Sequence, residues 1–295
     1  MVLSKLLNPK NDLSFKKVFG SEKNKDILVH FLNDVLNLTG ESQIIKVIFS
    51  QTVQNPEIIS KKQSIVDILC TDFLGIQYIV ELQVTKYPGF EKRAQYYAAH
   101  AYCDQAHVGD QYHDLKEVIF IAIVDYIIFP DKPEYKSDHA ILDRKSYEHD
   151  LKDFHFTFIE LPKSNKTKED ELDDAVSKWC WFFRYATEIE EEDREKVFEK
   201  YPIIKKACDA LNQYYWSDQE LMEYNHEAKR LRDESVVLQH EVQSAKTEGI
   251  QIGEERGKIE VAKSMLADNM DINTIAKFTG LSADEIKKLQ KENTH

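Results

Sequence analysis

The sequence predicts an α/β fold followed by an all-helical C-terminal region, on three observations. Segments of helical spacing and segments of strand composition alternate as far as Leu161, in the order helix, strands, helix, strand, strand. Val118–Val124 is an almost unbroken apolar run, the mark of a strand covered on both faces of a sheet. Beyond Leu161-Pro162 the strand signals stop and helical patterns take over.

Each element has its own warrant. Phe15 and Phe19 stand at i,i+4, and after a Gly20-Ser21 break Ile27, Leu28, Phe31, Leu32, Val35 and Leu36 continue at helical spacing, which predicts two short helices. Ser64–Cys70 and Ile76–Val84 are rich in β-branched and aromatic residues and flank the turn-like Thr71–Gly75, so they read as a hairpin. Pro88-Gly89 ends the second strand. Phe90–Ala106 then reads as a helix with Phe90, Ala94, Tyr97, Ala98 and Ala101 inward and Arg93, Tyr96 and His100 toward the other side. Val118–Val124 and Phe154–Ile159 supply further strands. Helices are predicted over 170–186, 190–200 and 203–215, with Trp179, Trp181, Phe182, Phe183 and Tyr185 as core packing. Residues 218–248 form a highly charged helix, a stalk or oligomerising element whose apolar positions look irregular. Gly249, Gly253 and Gly257 recur on one helical face, as at a close helix approach, a hinge or a tolerated flexible stretch. Ile272–Leu289 has the form of a helix-turn-helix, with Gly280 at the turn and Ser282 and Glu285 as a capping box.

The hairpin carries acids inward. A pivot near Leu74 sets Asp67 opposite Glu81, and cross-strand neighbours on one face lie roughly 5 Å apart at Cβ. Strand alternation puts Glu81 and Gln83 on the same face. Two carboxylates among apolar neighbours stay ionised only if a cation or donors compensate them, and Mg²⁺ is the natural ion for such oxygens. The competing reading, equal on pattern alone, is the wet face of an amphipathic strand.

Composition bounds the function. With 295 residues, 42% hydrophobic and 31% charged, the chain holds one substantial core plus an appendage, or two domains. Its mean hydropathy is −0.51 and no apolar run approaches the roughly 20 residues of a membrane span. Met1–Leu7 runs directly into Asn8-Pro9-Lys10-Asn11-Asp12 without a secretory pattern, so a cytoplasmic protein is expected. Cys70, Cys103, Cys180 and Cys208 lack paired spacing and are expected to be buried, reduced thiols. A net charge of −13 excludes coating of nucleic acid through bulk electrostatics and leaves only a local basic patch. No glycine-rich nucleotide loop is present, and His100, His107 and His113 share no zinc spacing.

Taken in order, Asn11–Phe19, Asp67, Glu81-Leu82-Gln83, Arg93-Ala94-Gln95-Tyr96-Tyr97, the spaced glycines and Ile275–Ser282 resemble the Rpn family of recombination-promoting nucleases, also described as PD-(D/E)XK nuclease family transposases. The resemblance spans most of the chain. It implies a restriction-endonuclease-like (PD-(D/E)XK) core at 1–215, a charged connecting helix at 216–248 and a Gly-spaced helix with a helix-turn-helix-like hairpin at 249–295. It also implies Mg²⁺-dependent DNA cleavage, with Mn²⁺ as the alternative ion, for recombination or defence against foreign DNA. Asp67 and Glu81 then bind metal, Gln83 has a water-side role and Asp12 is a supporting acid. With the resemblance granted, the backbone carbonyl of Leu82 becomes a third metal ligand. The family's superfamily usually holds Lys where Gln83 stands, so a cation is sought among Lys16, Lys86 and Arg93, the last suited to a bidentate phosphate grip. In the helix-turn-helix, Ala283, Asp284 and Glu285 fall where a recognition helix meets DNA, and the acids favour a protein-contact or regulatory role. Two other readings stay open. One is a weak or inactive nuclease-like fold binding DNA or protein through its helical tail; the other is an assembly protein, homodimeric through the C-terminal helices.

Overall fold

The computed structural model describes residues 6–51, 53–54, 64–106, 111–164, 174–188 and 191–292. They belong to two compact units, Met1–Ala228 and Lys229–His295.

In the first unit, α1 (Asp12–Phe19) and α2 (Lys25–Val35) precede β1 (Val47–Phe49), the short pair β2 (Val53–Gln54) and β3 (Ser64–Ile65), and then β4 (Ile68–Asp72) and β5 (Gln77–Gln83). Next come α3 (Phe90–Cys103), β6 (Val118–Val124), β7 (Lys136–Ile141) and β8 (Leu151–Glu160). The helices α4 (Ser177–Tyr185), α5 (Glu191–Lys200) and α6 (Pro202–Ala210) follow, and α7 (Asp218–Ala267) begins here. The main sheet has the order β1-β4-β5-β6-β8-β7. Its centre is parallel, β5 with β6 and β6 with β8, and its flanks are antiparallel. The β5-α3-β6 connection is thus a crossover unit of the kind parallel strands require.

Burial follows the strand period. Tyr78, Val80, Ile119, Ile121 and Ile123 face one core, shared with the apolar sides of α1, α2, α4 and α6. Ile79, Val118, Phe120, Ala122 and Phe158 face the other, closed by Phe90, Ala94, Ala98 and Ala101 of α3. Every residue of β6 is buried, as its apolar run predicts. The aromatic cluster is core: Phe19 packs on Phe31, Trp179, Phe182 and Phe183 at centroid distances of 5.3, 5.7, 6.2 and 5.7 Å. Of its indole N–H groups, Trp179 Nε1 donates to Asp34 at 2.7 Å, while the buried Trp181 Nε1 has no hydrogen-bond partner among the described residues.

Some elements differ from expectation. The first hairpin strand breaks at Val66-Asp67 between β3 and β4. The edge strands β1 and β7 carried no readable signal, because an edge needs no continuous apolar run and β7 opens Lys-Ser-Asp-His. The helix expected to reach residue 215 ends at Ala210, followed by a single 3₁₀ turn at Gln213–Tyr215. Cys70, Cys180 and Cys208 are buried, and desolvation pushes each thiol up to about 12; Cys103, near the end of α3, is exposed, contrary to expectation.

In the second unit the last turns of α7 pack with α8 (Ile272–Thr279) and α9 (Ala283–Glu292) around Ala262, Ile275 and Ile286. Gly280 takes a left-handed φ of 74° at the turn, and Ser282 and Glu285 form the capping box: Glu285 Oε2 accepts from the Ser282 N–H at 2.8 Å, and the Glu285 N–H donates to Ser282 Oγ at 3.3 Å. No helix among the described residues is long and apolar enough to cross a membrane. Because Phe19 is fully buried at the centre of the aromatic cluster, Phe19→Ala is expected to cost about 3–5 kcal/mol, read as a lower denaturation midpoint with an unchanged denaturant slope.

Candidate active site

The hairpin register fixes the site. Ile68 pairs Val80 in the antiparallel β4-β5 ladder, so one further step sets Asp67 opposite Glu81. At that step side chains take over from the backbone rung. The Asp67 N–H donates to Glu81 Oε1 at 2.9 Å, and the Leu82 N–H donates to Asp67 Oδ2 at 2.9 Å. Each acid therefore anchors on the other's strand through one oxygen.

Glu81 is only 5% exposed. Burial first and the Asp67 charge second push its carboxyl up to about 8, against the Asp67 N–H, Arg93 and Lys16, which lower it. Burial also pushes Asp67 up to about 6; the Leu82 N–H and Lys16 oppose the rise, and the charge of Asp12 and a hydrogen bond with it add to it. The pair is thus short of positive charge. What the chain offers is Lys16, whose Nζ lies 3.7 Å from Asp67 Oδ1 and 3.0 Å from Asp12. Burial works to lower the Lys16 pKa, but Asp12, Asp67 and Glu81 together hold it above the ordinary lysine value.

α1 delivers Asp12 and Lys16 by helical arithmetic, since i and i+4 share a face. Asn11 caps the helix, its Oδ1 accepting from the Leu13 and Ser14 N–H groups at 3.1 and 3.4 Å. Two residues before Asp12, Lys10 bridges to Asp125 at 2.7 Å, and the Asp125 N–H donates to the Gln83 carbonyl at 3.0 Å. This tie between the head of α1 and the carboxyl ends of β5 and β6 went unnoticed in the sequence, where nothing links Lys10 to a residue 115 positions away.

Gln83 is engaged within the chain at both ends of its amide: Nε2 donates to the Thr85 carbonyl at 2.8 Å, and Oε1 accepts from Arg93 Nη2. Arg93 lies over the Phe90 ring, 4.8 Å from its centroid, and its buried Nε has no hydrogen-bond partner among the described residues. Lys86 is not brought to the acids; its Nζ donates to the Ile127 carbonyl at 3.2 Å. Asp67, Glu81, Asp12 and Lys16 thus converge, with Gln83 and Arg93 beside Glu81 on the α3 side of the sheet.

The donor set suits a hard cation through few ligands. Among the described residues no three His, Cys, Asp or Glu side chains form a ready metal cage. His100 pairs with Asp104 at 3.2 Å, and His107 lies outside the described residues. The fit rests instead on the buried Glu81 and the half-buried Asp67, set side by side with Lys16 as the cation at ion-pairing range of Asp67, plus the Leu82 carbonyl. A strand residue's N–H and C=O leave the same edge, and the Leu82 N–H already points at Asp67, past the last rung.

Residues 9–241 match a family model described as PD-(D/E)XK nuclease family transposase. Residues 255–291 match a model described as Rpn/YhgA-like nuclease family, C-terminal HTH domain. No curated protein and no solved structure matches the chain. The first model takes in every site residue discussed above, and nucleases of this kind generally use divalent metal ions. The nuclease family and the helix-turn-helix both imply DNA as a partner. The chain therefore belongs to the PD-(D/E)XK nuclease family transposases and carries a C-terminal helix-turn-helix of the Rpn/YhgA-like type.

Proposed function

We propose that the protein is a divalent-metal-dependent DNA endonuclease of the cytoplasm, hydrolysing phosphodiester bonds with little sequence specificity in recombination or in defence against foreign DNA. The observation that carries this reading is the pairing of the half-buried Asp67 with the buried Glu81, locked across the hairpin by two backbone N–H groups and lacking full charge compensation. Asp67, Glu81 and the Leu82 carbonyl would hold the ion, Mg²⁺ or Mn²⁺. When bound, it supplies the positive charge that lets both acids ionise, acidifies a water and offsets charge on the scissile phosphate.

The chain's own residues supply the rest. Lys16 takes the part of the missing third-position cation, holding its ammonium against Asp67. Arg93, oriented by Gln83 and the Phe90 ring, keeps a buried N–H without a partner among the described residues and suits a phosphate oxygen. The Gln83 carbonyl oxygen has a second lone pair for a water beside that phosphate. Self-association through the C-terminal helices belongs to the same reading, supported by the exposed apolar side chains of α7.

A second reading is a nuclease-like fold that binds DNA or a protein through its tail without cutting. It is favoured by Gln83, which carries no charge and is already engaged at both amide ends.

Supercoiled plasmid separates the two. With Mg²⁺ or Mn²⁺ the wild type is expected to nick, EDTA to stop it, and Asp67→Ala or Glu81→Ala to lower the rate by about 100-fold or more. Lys16→Ala should cost about tenfold or more. Gln83→Lys should give no gain, because it sets an ammonium against Arg93. DNA retention without nicking under any ion would assign the second reading.

A stability test probes the same pair without turnover. Carboxyls raised in the folded state bind protons that the unfolded chain releases, so their contribution is present at low pH and is lost as pH rises from the ordinary carboxylate range through the raised values. In EDTA, Glu81→Gln should therefore stabilise the protein at pH 8 by about 1–3 kcal/mol and leave it near wild type at pH 5. Mg²⁺ should raise the melting temperature of the wild type and not of Glu81→Gln. A wild type indifferent to every divalent ion would remove the metal from the site.

A further inference from the structure

The middle of α7 carries an apolar stripe, exposed at Val242 and Ile252. In sequence, Leu231, Leu238, Ala245, Ile252 and Ile259 recur every seven residues as the d positions of a heptad, with Val242 at an a position. Within the helix Val242 is 60% exposed and Ile252 44% exposed. A Cβ added at Gly249, the a position between Ala245 and Ile252, would meet no atom within 4 Å. The helix-turn-helix core takes over only later, from Ala262.

The flanks of the stripe are not random. Every g position from 227 to 255 is glutamate: Glu227, Glu234, Glu241, Glu248 and Glu255. The e positions include Arg232 and Lys246. In a parallel pair of helices each g residue faces the e residue five further along the other strand. That sets Glu227 against Arg232 and Glu241 against Lys246 of the second copy, with two neutral pairs and one unfavourable one, Glu255 with Glu260. In an antiparallel pair g faces g, and every such contact is glutamate on glutamate. Charge complementarity therefore selects the parallel arrangement.

We infer that α7 is a homodimerisation helix, pairing in parallel and in register with α7 of a second copy through the Leu231–Ile259 stripe. This rests on the self-association proposed above and adds its face, partner and direction. Ser235, Gly249 and Arg256 at a positions weaken the seam, so the dimer dissociates in the micromolar range. Parallel pairing brings two helix-turn-helix units to one end of the pair.

The test is sedimentation of the full chain from about 1 to 100 μM with variants. The expected result is a reversible monomer–dimer equilibrium that Ile252→Glu shifts by at least about tenfold toward monomer. Glu241→Lys should weaken the dimer about fivefold, and adding Lys246→Glu on the same chain should restore it. In a Cys103→Ser background, which removes the exposed native thiol, Ala245→Cys and Ile252→Cys should each cross-link the dimer on oxidation. A monomer throughout would overturn self-association altogether. A dimer untouched by Ile252→Glu would overturn the face. A dimer that Glu241→Lys tightens, or that cross-links at only one of the two cysteine positions, would overturn the parallel direction alone.

Discussion

The structure depends on one exchange: at the end of the β4-β5 ladder two carboxylates accept backbone N–H groups where a further rung would otherwise lie. A backbone rung is neutral and self-sufficient, whereas this closure puts two acids into a low-dielectric place at a cost of several kcal/mol per unpaired ion. The cost is lowered by protonation, by Lys16 and by the Leu82 and Asp67 N–H groups. A second buried acid shows the contrast. Glu160, fully buried, accepts from the Ile128 and Phe129 N–H groups and pairs at 2.6 Å with Lys163, itself bound to the Phe129 carbonyl. Its partners are complete, so it acts as a fastener for the loop after β6, while the Asp67–Glu81 pair keeps a demand for charge.

α1 ties that demand to the core. Its eight residues present three faces with separate duties. Asp12 and Lys16 meet the acids, Phe15 and Phe19 enter the aromatic cluster, and Lys17 turns away to Glu220, 4.1 Å above the Trp216 ring. Tyr224 adds to the same seam by accepting the Asn8 N–H at 3.1 Å. The ammonium beside Asp67 is therefore positioned by packing on the opposite side of its helix. On the proposed reading, this packing is what holds a cation at the acids although Gln83 supplies no charge.

The hairpin was legible in the sequence because both strands are rich in β-branched and aromatic residues and a pivot near Leu74, in the turn-like Thr71–Gly75, sets Asp67 opposite Glu81. The buried strand β6 was legible for the same reason, every residue apolar. The edge strands β1 and β7 were not, since a strand with one neighbour is free to be short or polar. Nor did spacing reveal that Gln83 spends its amide on Arg93 and Thr85, or that Lys10 reaches Asp125; such ties depend on where loops and distant elements meet. The heptad in α7 is hard to read because Ser235, Gly249 and Arg256 interrupt its a row, leaving Val242 as that row's large apolar residue, while the d row, Leu231, Leu238, Ala245, Ile252 and Ile259, runs unbroken.

Charge is divided unequally between the two units, and that bears on how DNA is met. Met1–Ala228 holds 28 Lys and Arg against 40 Asp and Glu, a net of −12, while Lys229–His295 holds 11 against 12, a net of −1. The acidic unit gains nothing from long-range attraction to a polyanion, so on the proposed reading its grip rests on short-range groups such as Lys16 and Arg93 and on the ion between the acids. The near-neutral unit pays less repulsion on approach. Within it the two acids at the head of α9 are both engaged, Glu285 with the Ser282 N–H and hydroxyl and Asp284 with Lys287 at 3.9 Å. If two copies pair in parallel, two such units approach one duplex together, and the second contact is made at the effective concentration set by the first. On the proposed reading, two weak, nearly uncharged units then suffice to hold the acidic unit on DNA, and the hold is lost when the copies part.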